Sequence, residues 1–553
     1  MGGGGMGRRG DGETRGRGDA GKISPSLRGS PYPTVHSLFT DRIRKYPADQ
    51  NVFYFRAGNE WQGMSWGWFE QETFEFATAL LSLDLKRGGS VCILMGNVPE
   101  WPIADIGTIL AGGVGVGLYP TISAEQIAYI VDHSDAEFVL VDSREQLQKV
   151  LEVREQLPKL RHVVALDAET ANGVTSYQDF IARGCAERAS FASTLQERAE
   201  DAKPDDVAIM VYTSGTTGRP KGACLSHRYI IHSVESLRQT TPIYDTDVSF
   251  SYLPFCHVAE RISGLYNRLY AGAPAYFVDD LARLGEYMLE VKPTVFASLP
   301  RFFEKIYARA VSDGATRVQD YFGGRIRLLT SGGAPLPLEV ANYFAAAGLP
   351  ILQAYGLTEN VCVAFNRPDN YKFGTVGPPM PGCEVRLAAD KEILVRSEMM
   401  FSGYYKAPEE TAKVFDDGWL LTGDLGEFDA DGFLRIIGRK KELIVMSTGK
   451  KVAPAMLENM LKEHHQISQA LVYGEGRSYL VALITLNEPV SRETVESIVD
   501  KVNHRVSSTE SIKRFAILDR DFAIERDEIT PTGKLKRDVI TNRFQEVIDD
   551  IYA

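Results

Sequence analysis

From residue 90 to residue 166 the chain alternates short apolar runs with helical patterns. "SVCILMG" (90–96) precedes "PEWPIADIGTILAG" (99–112); "AEFVLVD" (136–142) precedes "EQLQKVLEVREQL" (145–157), and "HVVAL" (162–166) starts the unit again. Short runs that are apolar at every position are strands buried on both faces, and strands separated by helices join in parallel. The alternation resumes at "VAIMVY" (207–212), and "PTVFASLP" (293–300) and "IRLLTSGGAPL" (326–336) add buried strands that end in loops. Ligands of such sheets gather at the carboxyl ends of the strands.

The flanking sequence divides the rest. Thr34 is a candidate N-cap for a helix reaching Tyr46, "NVFYFR" reads as a strand, and Ser65 is a candidate N-cap for the helix in "SWGWFEQETFEFATALLSL". After Gly374 the pattern alternates apolar and polar residues, with a hairpin turn at residues 428–432, which points to a small antiparallel barrel. From Glu442 the helix "APAMLENMLKEH", the strands "QALVYG" and "YLVALITL", and further helices form an α+β pattern. The expected division is a disordered Gly/Arg-rich tail over 1–30, a large N-terminal domain over 31–437, a hinge over 438–441 and a small mobile C-terminal domain over 442–553. The fold class is α/β: parallel-type sheets plus a small antiparallel β-barrel, followed by a small α+β domain.

Composition narrows the function. With 61 basic and 73 acidic side chains the net charge is −12, which argues against a nucleic-acid binder held by electrostatics. None of the six cysteines forms a C-x-x-C pair, so neither a zinc site nor a redox motif is expected, and the low density fits a reducing compartment. The uncharged stretch 106–124 holds five glycines and a proline, so it reads as a helix end, a glycine turn and a core strand rather than a membrane span. The amino terminus has no apolar core of a secretory signal.

"VYTSGTTGRPKG" (211–222) follows the strand at 207–212 and packs hydroxyls and glycines ahead of Lys221. Glycines let backbone N–H groups converge on an anion, and hydroxyls and a cation add to the cradle. The spacing is not that of the P-loop, which excludes a P-loop kinase. The segment resembles the phosphate loop of adenylate-forming enzymes: acyl-CoA synthetases, luciferases and peptide-synthetase adenylation domains. "QAYGLTE" (353–359), "LTGDLGEFDADGFLRIIGRKKELI" (421–444) and "PTGKLKR" (531–537) resemble three further motifs of that family in the family's order, and the likeness runs from about Pro31 to the end.

The resemblance implies roles. Thr213, Ser214, Gly215, Thr216, Thr217, Gly218 and Lys221 hold the phosphates of ATP. Gly332, Gly333 and Ala334, with Gln353, Ala354, Tyr355, Gly356, Leu357 and Thr358, form the adenine side. Asp424 takes the ribose hydroxyls, and Ile436 and Arg439 add nucleotide contacts. Glu359 and Thr213 stand at the family's Mg2+ position. Lys534, on its own a solvated surface residue, is placed at the α-phosphate, where a cation stabilises charge in the transition state. Lys441 is the hinge, and the loop with Gly449, Lys450 and Lys451 faces the thiol. The implied substrates and cofactors are a carboxylic acid, ATP, Mg2+ and coenzyme A.

"LPFCHVAERISGLY" (253–266) and "SLPRFFEKIY" (298–307) resemble the long-chain branch. They imply an acyl pocket from His257, Val258, Arg261, Ser331, Gly332 and Tyr355, with His257 in a positioning role beside the reacting carboxylate. Arg261 stands where some relatives carry a gating tryptophan, so gating does not transfer. The expectation is activation of a medium- or long-chain fatty acid by a long-chain fatty acid–CoA ligase in the cytoplasm with no spanning segment; a homodimer and peripheral membrane contact stay open. Two alternatives are a ligase that loads a carrier protein and a non-catalytic ATP-binding pseudoenzyme. The chain runs without an insertion from Lys441 into "ELIVMSTGKK", which favours coenzyme A, and a pseudoenzyme is expected to lack Lys534 or Glu359, both of which are present.

Overall fold

A computed structural model describes residues 22–23, 29–167, 173–213, 219–314, 317–508, 510–523, 525–530 and 534–553. Its largest sheet has eight strands, in the order Gly403–Tyr404, Lys221–Ser226, Val207–Thr213, Val114–Gly117, Ser90–Leu94, Ala136–Val141, His162–Ala165 and Val174–Ser176. All neighbours from Val207–Thr213 onward are parallel; the first two pairings are antiparallel. Successive residues of these strands enter different cores: Val91, Ile93, Phe138 and Leu140 join one cluster, while Cys92, Leu94, Val139 and Val141 join another. Burial on both faces explains runs that are apolar at every position.

The helices follow their caps. Thr34 and Ser37 make a reciprocal capping box on Val35–Lys45, and the Ser65 side chain accepts from the Trp68 N–H at the start of Trp66–Ser82. The glycine-rich stretch forms the end of helix Glu100–Leu110, a turn with Gly112 at φ 78°, and the core strand Val114–Gly117.

A second sheet places Val295–Ser298, Leu328–Ser331 and Ile351–Leu357 in parallel and closes with Asn360–Phe365, antiparallel to its neighbour. Leu357 pairs with Asn360, so Thr358 and Glu359 are the two residues of a hairpin tip. A further four-stranded sheet contains Ser249–Ser251, Ala275–Phe277, Asn51–Ala57 and Glu60–Ser65.

The antiparallel region is a six-stranded sheet built on Cys383–Leu387, Glu392–Ser397 and Trp419–Phe428. Its pairings run from Lys22–Ile23 at one edge to Phe415–Asp416 at the other, with Leu434–Arg439 branching from Trp419–Phe428, and do not close into a barrel among the described residues. Lys22 and Ile23 thus pair with Val385 and Glu384, inside the stretch expected to be a disordered tail. The rest of that tail up to residue 28 lies outside the described residues. The turn forms as expected, with Gly432 at φ 86° and the Asp429 carboxylate accepting from the N–H groups of Asp431 and Phe433.

The C-terminal region has its own core around Leu457, Leu461, Ala482 and Ile484. Its sheet pairs Ile467–Tyr473 with Leu480–Leu486 and adds Ile512–Ile517 in parallel. Sequence reading saw only helices after residue 486. The added strand is an edge with exposed Lys513 and Arg514, so it lacks the apolar run of a central strand.

Candidate active site

The carboxyl ends of the second sheet, the hairpin tip at Thr358–Glu359 and the strand pair Trp419–Phe428/Leu434–Arg439 bring together residues far apart in sequence. Tyr355 donates its hydroxyl to Asp424 Oδ2 at 2.7 Å, and Arg439 Nε donates to Asp424 Oδ1 at 2.7 Å. Asp424 and Arg439 are cross-strand partners, so the pair is set by register. Burial, then the Asp424 charge, pushes the Tyr355 phenol well above its ordinary value, so it stays a donor at neutral pH. An ionised carboxylate has about four acceptor positions, so Asp424 keeps room for two ligand hydroxyls.

Gly332 and Gly333 follow strand Leu328–Ser331, with Gly333 at φ 79°. Gln353 Nε2 donates to the Ala334 carbonyl at 3.3 Å, tying this turn to the next strand. The buried Ser331 hydroxyl has no hydrogen-bond partner among the described residues. Ile436 is half-buried opposite Gly426 in the antiparallel sheet.

Thr213 ends its strand and pairs with Lys221, where the chain returns. The phosphate loop between them, Ser214, Gly215, Thr216, Thr217 and Gly218, lies outside the described residues. The Lys221 ammonium donates to Glu410 and stands 5.2 Å from the centroid of the Tyr404 ring. Lys221, then Lys413, holds the Glu410 carboxyl down at about 2. Tyr404 donates its hydroxyl to Glu359, and Tyr229 donates to the Thr358 carbonyl at 2.9 Å while accepting from the Val361 N–H at 3.1 Å. Sequence reading missed Tyr404 and Glu410. The signal available was "SGYYKAPEET" (402–411), whose tyrosines and glutamates follow a glycine, but no spacing ties them to a loop two hundred residues earlier.

His257 precedes Ala259–Tyr266, a stretch of π-helix, a geometry frequent at functional sites. The Ala259 N–H donates to His257 Nδ1 at 3.1 Å, which leaves the ring proton on Nε2. Burial, then the Lys534 charge, pushes the imidazole down to about 4, so it is neutral at pH 7. Val258 is buried in the core. Arg261 turns away into a closed polar cluster: it pairs with Asp105, donates to the Gly115 carbonyl at 3.1 Å, and shares Asp105 with the Tyr266 hydroxyl. Arg261 and Asp105 are both 0% exposed, so the arginine faces the core and not an open pocket.

Lys534 follows Pro531, Thr532 and Gly533, which lie outside the described residues. Its N–H donates to Thr530 Oγ1 at 3.0 Å and its carbonyl accepts from the Thr530 N–H at 2.8 Å. The side chain is reached by water yet ringed by protein. That crowding lowers its proton affinity, Arg439 lowers it further, and Asp424, Glu442 and Glu359 pull the other way. The ammonium of the C-terminal region is therefore near enough to Arg439, Asp424, Glu442 and Glu359 for their charges to act on it, and for its own charge to act on His257. Lys440 donates to Glu392 at 2.7 Å and lies 2.6 Å from Asp390, on a strand of the antiparallel sheet and in the turn before it, whereas Glu442 accepts from Arg537 at 3.4 Å in the small domain. Exposed Lys441 stands between these anchors. Gly449, at φ 79°, and Lys450 turn between the paired strands Ile444–Val445 and Lys451–Val452.

Residues 39–405 match the family model described as AMP-binding enzyme, and residues 441–553 match that of the AMP-binding enzyme C-terminal domain. The chain belongs to the adenylate-forming AMP-binding enzyme family of acyl-CoA synthetases. Among its relatives, the long-chain-fatty-acid–CoA ligase FadD15 of Mycobacterium bovis is 32% identical over 549 aligned positions, covering 86% of this chain and 90% of the relative. The long-chain-fatty-acid–CoA ligase ACSBG1 of Homo sapiens is 31% identical over 637 positions, covering 96% and 87%. The fold is that of the anthranilate CoA ligase AuaEII in complex with anthranoyl-AMP, with TM-score 0.81, 22% identity and coverage of 94% of this chain and 98% of that one. ATP-bound MatB from Rhodopseudomonas palustris superposes with TM-score 0.74 at 22% identity, covering 93% and 99%.

Among the described residues no cluster of three or more His, Cys, Asp or Glu side chains could hold a metal ion, and no helix is long and apolar enough to cross a membrane. One carboxylate, Glu359, and the Thr213 hydroxyl fit a magnesium ion that arrives on substrate phosphates and keeps several waters. They do not fit a resident metal centre.

Proposed function

We propose that this protein joins a long-chain fatty acid to coenzyme A through an acyl-adenylate. What carries the reading is the match of residues 39–405 and 441–553 to the two AMP-binding enzyme models, with long-chain-fatty-acid–CoA ligases similar over most of the chain; the Asp424–Tyr355–Arg439 cluster agrees with it. A carboxylate oxygen attacks the α-phosphorus of ATP, the bond to the β-phosphate breaks, and pyrophosphate leaves. A thiolate then attacks the acyl carbon, the carbonyl–phosphate bond breaks, and AMP leaves.

In this reading Asp424 accepts both ribose hydroxyls on the lone pairs that Tyr355 and Arg439 leave free. Glu359 and Thr213 hold oxygen ligands toward the magnesium of MgATP, whose charge neutralises the leaving phosphates. The Lys534 ammonium stabilises negative charge on the α-phosphate oxygens in the transition state, an effect worth on the order of 10²–10³ in rate. Neutral His257 borders the acid without repelling Lys534. The thiol in this reading is that of coenzyme A: burial pushes Cys92 and Cys362 up to about 12, Cys224 up to about 11 and Cys256 and Cys383 higher still, and a hydrogen bond to Glu75 raises the exposed Cys185. The long-chain preference rests on the two named relatives, and the apolar tunnel it requires gains about 0.8 kcal/mol per buried methylene. Work in the cytoplasm, with fatty acid collected at a lipid surface, belongs to the same proposal.

AMP and pyrophosphate release, measured across short, medium and long acids with and without coenzyme A, tests this. Turnover that requires a long acid, ATP and coenzyme A together is expected. AMP release that a carrier protein supports and coenzyme A does not would replace the acceptor, and no AMP release with any acid would end the reading.

A further inference from the structure

Gly403–Tyr404 lies antiparallel on Lys221–Ser226, with Tyr404 opposite Ala223; Ala223 is opposite Val211, and Lys221 opposite Thr213. Cross-strand partners and residues two apart on a strand share a face. Thr213, Lys221 and Tyr404 therefore present one face of the eight-stranded sheet at its edge. The hairpin tip brings Glu359 to the same place, where its carboxylate accepts from the Tyr404 hydroxyl. The other end of this constellation is the Lys221 ammonium over the Tyr404 ring, a cation–π contact at 5.2 Å.

The ring that joins them is held from several sides. Phe401 packs against it edge-on at 4.9 Å. The Tyr404 N–H donates to Thr411 Oγ1 at 2.8 Å, and Gly403 takes φ 124°, with the Thr411 methyl 2.9 Å from where a Cβ would sit. Phe401 also donates its N–H to the Glu359 carbonyl at 2.8 Å, so the segment grips the hairpin tip by its backbone too. On the far side of Lys221, Glu410 accepts from the ammonium and is shared with Lys413.

We propose that Tyr404 is a positioning residue for the metal–triphosphate end of the substrate: its hydroxyl fixes the Glu359 carboxylate and its ring seats Lys221, so one side chain sets the spacing between the metal-facing oxygen and the phosphate-facing cation. This rests on the adenylation reading above. Glu410 complements it as the anion that holds Lys221 against the ring. A pair whose members are each about one third exposed contributes little to stability, so triphosphate displaces it readily.

The test compares Tyr404→Phe with Tyr404→Leu. Calorimetry with the non-hydrolysable α,β-methylene analogue of ATP, with and without Mg2+, reads binding apart from turnover. Tyr404→Phe keeps the ring and is expected to keep the metal-free affinity while losing about 10–100-fold of the metal-dependent gain, the usual cost of removing the group that orients a metal ligand. Tyr404→Leu is expected to lose both. Thioester formation from preformed acyl-AMP and coenzyme A, which needs no triphosphate, stays unchanged in both variants. A Tyr404→Phe enzyme with the full metal-dependent gain, or one in which both half-reactions fall together, would overturn the assignment while leaving the ligase reading intact. A wild-type protein that binds the analogue without any metal-dependent gain and releases no AMP would overturn both.

Discussion

Asp424 and Arg439 face each other across two paired strands, with Arg439 Nε 2.7 Å from Asp424 Oδ1. Tyr355 takes the other carboxylate oxygen. The acceptor proposed to read the ribose is thus aimed before any nucleotide arrives, which lowers the ordering cost of binding.

Asp424→Ala is expected to raise the KM for ATP about 10–100-fold, the worth of one hydrogen bond to a charged group. It leaves the Tyr355 hydroxyl and the Arg439 guanidinium without their shared partner. Pyrophosphate exchange at varied ATP checks this, and an unchanged KM would remove Asp424 from the nucleotide site.

Lys534→Ala is expected to lower adenylation about 10²–10³-fold, the usual loss for one transition-state donor. Thioester formation from preformed acyl-AMP and coenzyme A is expected to continue at the wild-type rate. Assaying the half-reactions separately decides it, because equal loss of both contradicts a role confined to the α-phosphate.

The anchors on either side of Lys441 make the hinge testable. Lys440 is bound to Asp390 and Glu392 in the large body, and Glu442 to Arg537 in the small one. Proline fixes φ, so Lys441→Pro is expected to hold the domains in the arrangement seen here. Lys534 is within reach of the charges of Arg439, Asp424 and Glu359 in that arrangement, so adenylation is expected to survive and thioester formation to fall. A variant that performs both halves normally would move the pivot elsewhere.

Acid stability has a defined source in His36 and His227. Burial pushes His36 down to about 4 and, with His36 as a second cause, His227 to about 3. Both values lie below those of the unfolded chain, so between pH 6.5 and 4 the unfolded state binds more protons and stability falls as pH falls. His36 alone accounts for roughly 3 kcal/mol over that window at about 1.4 kcal/mol per pH unit. Urea unfolding of wild type and His36→Phe from pH 7 to 4 is expected to show a shallower pH dependence in the variant.

The buried pair Arg261–Asp105 yields a stability prediction. Arg261→Met strands a fully buried carboxylate and is expected to cost about 3–5 kcal/mol. Adding Asp105→Leu removes the orphan charge and is expected to recover most of the loss. Thermal unfolding of both variants measures this, and a single variant as stable as the wild type would show that Asp105 is protonated or hydrated without its arginine.

Much of the fold is legible in the sequence because the signals are local. Runs apolar at every position mark the central strands, and Thr34 and Ser65 cap their helices within three residues of themselves. The edge strand Ile512–Ile517 escaped because an edge carries charges that erase the run, and Lys22–Ile23 escaped because two residues in a Gly/Arg-rich tail carry no pattern at all. In the site, Tyr355, Asp424 and Arg439 lie inside motifs, whereas Tyr404 and Glu410 do not. Arg261, set at the acyl pocket only by resemblance to the family, pairs instead with Asp105 more than 150 residues earlier in the chain.

The sequence by itself determined the central strands and the capped helices, because each depends on neighbours a few positions apart; the phosphate loop and Lys534 were assigned by the resemblance of their motifs to the family. Only the tertiary structure decided that one tyrosine ties Glu359 to Lys221 and that Arg439 and Tyr355 meet on Asp424. Those contacts follow from strand register and domain placement, and no local pattern in a chain encodes the distance between residues that are joined only after it folds.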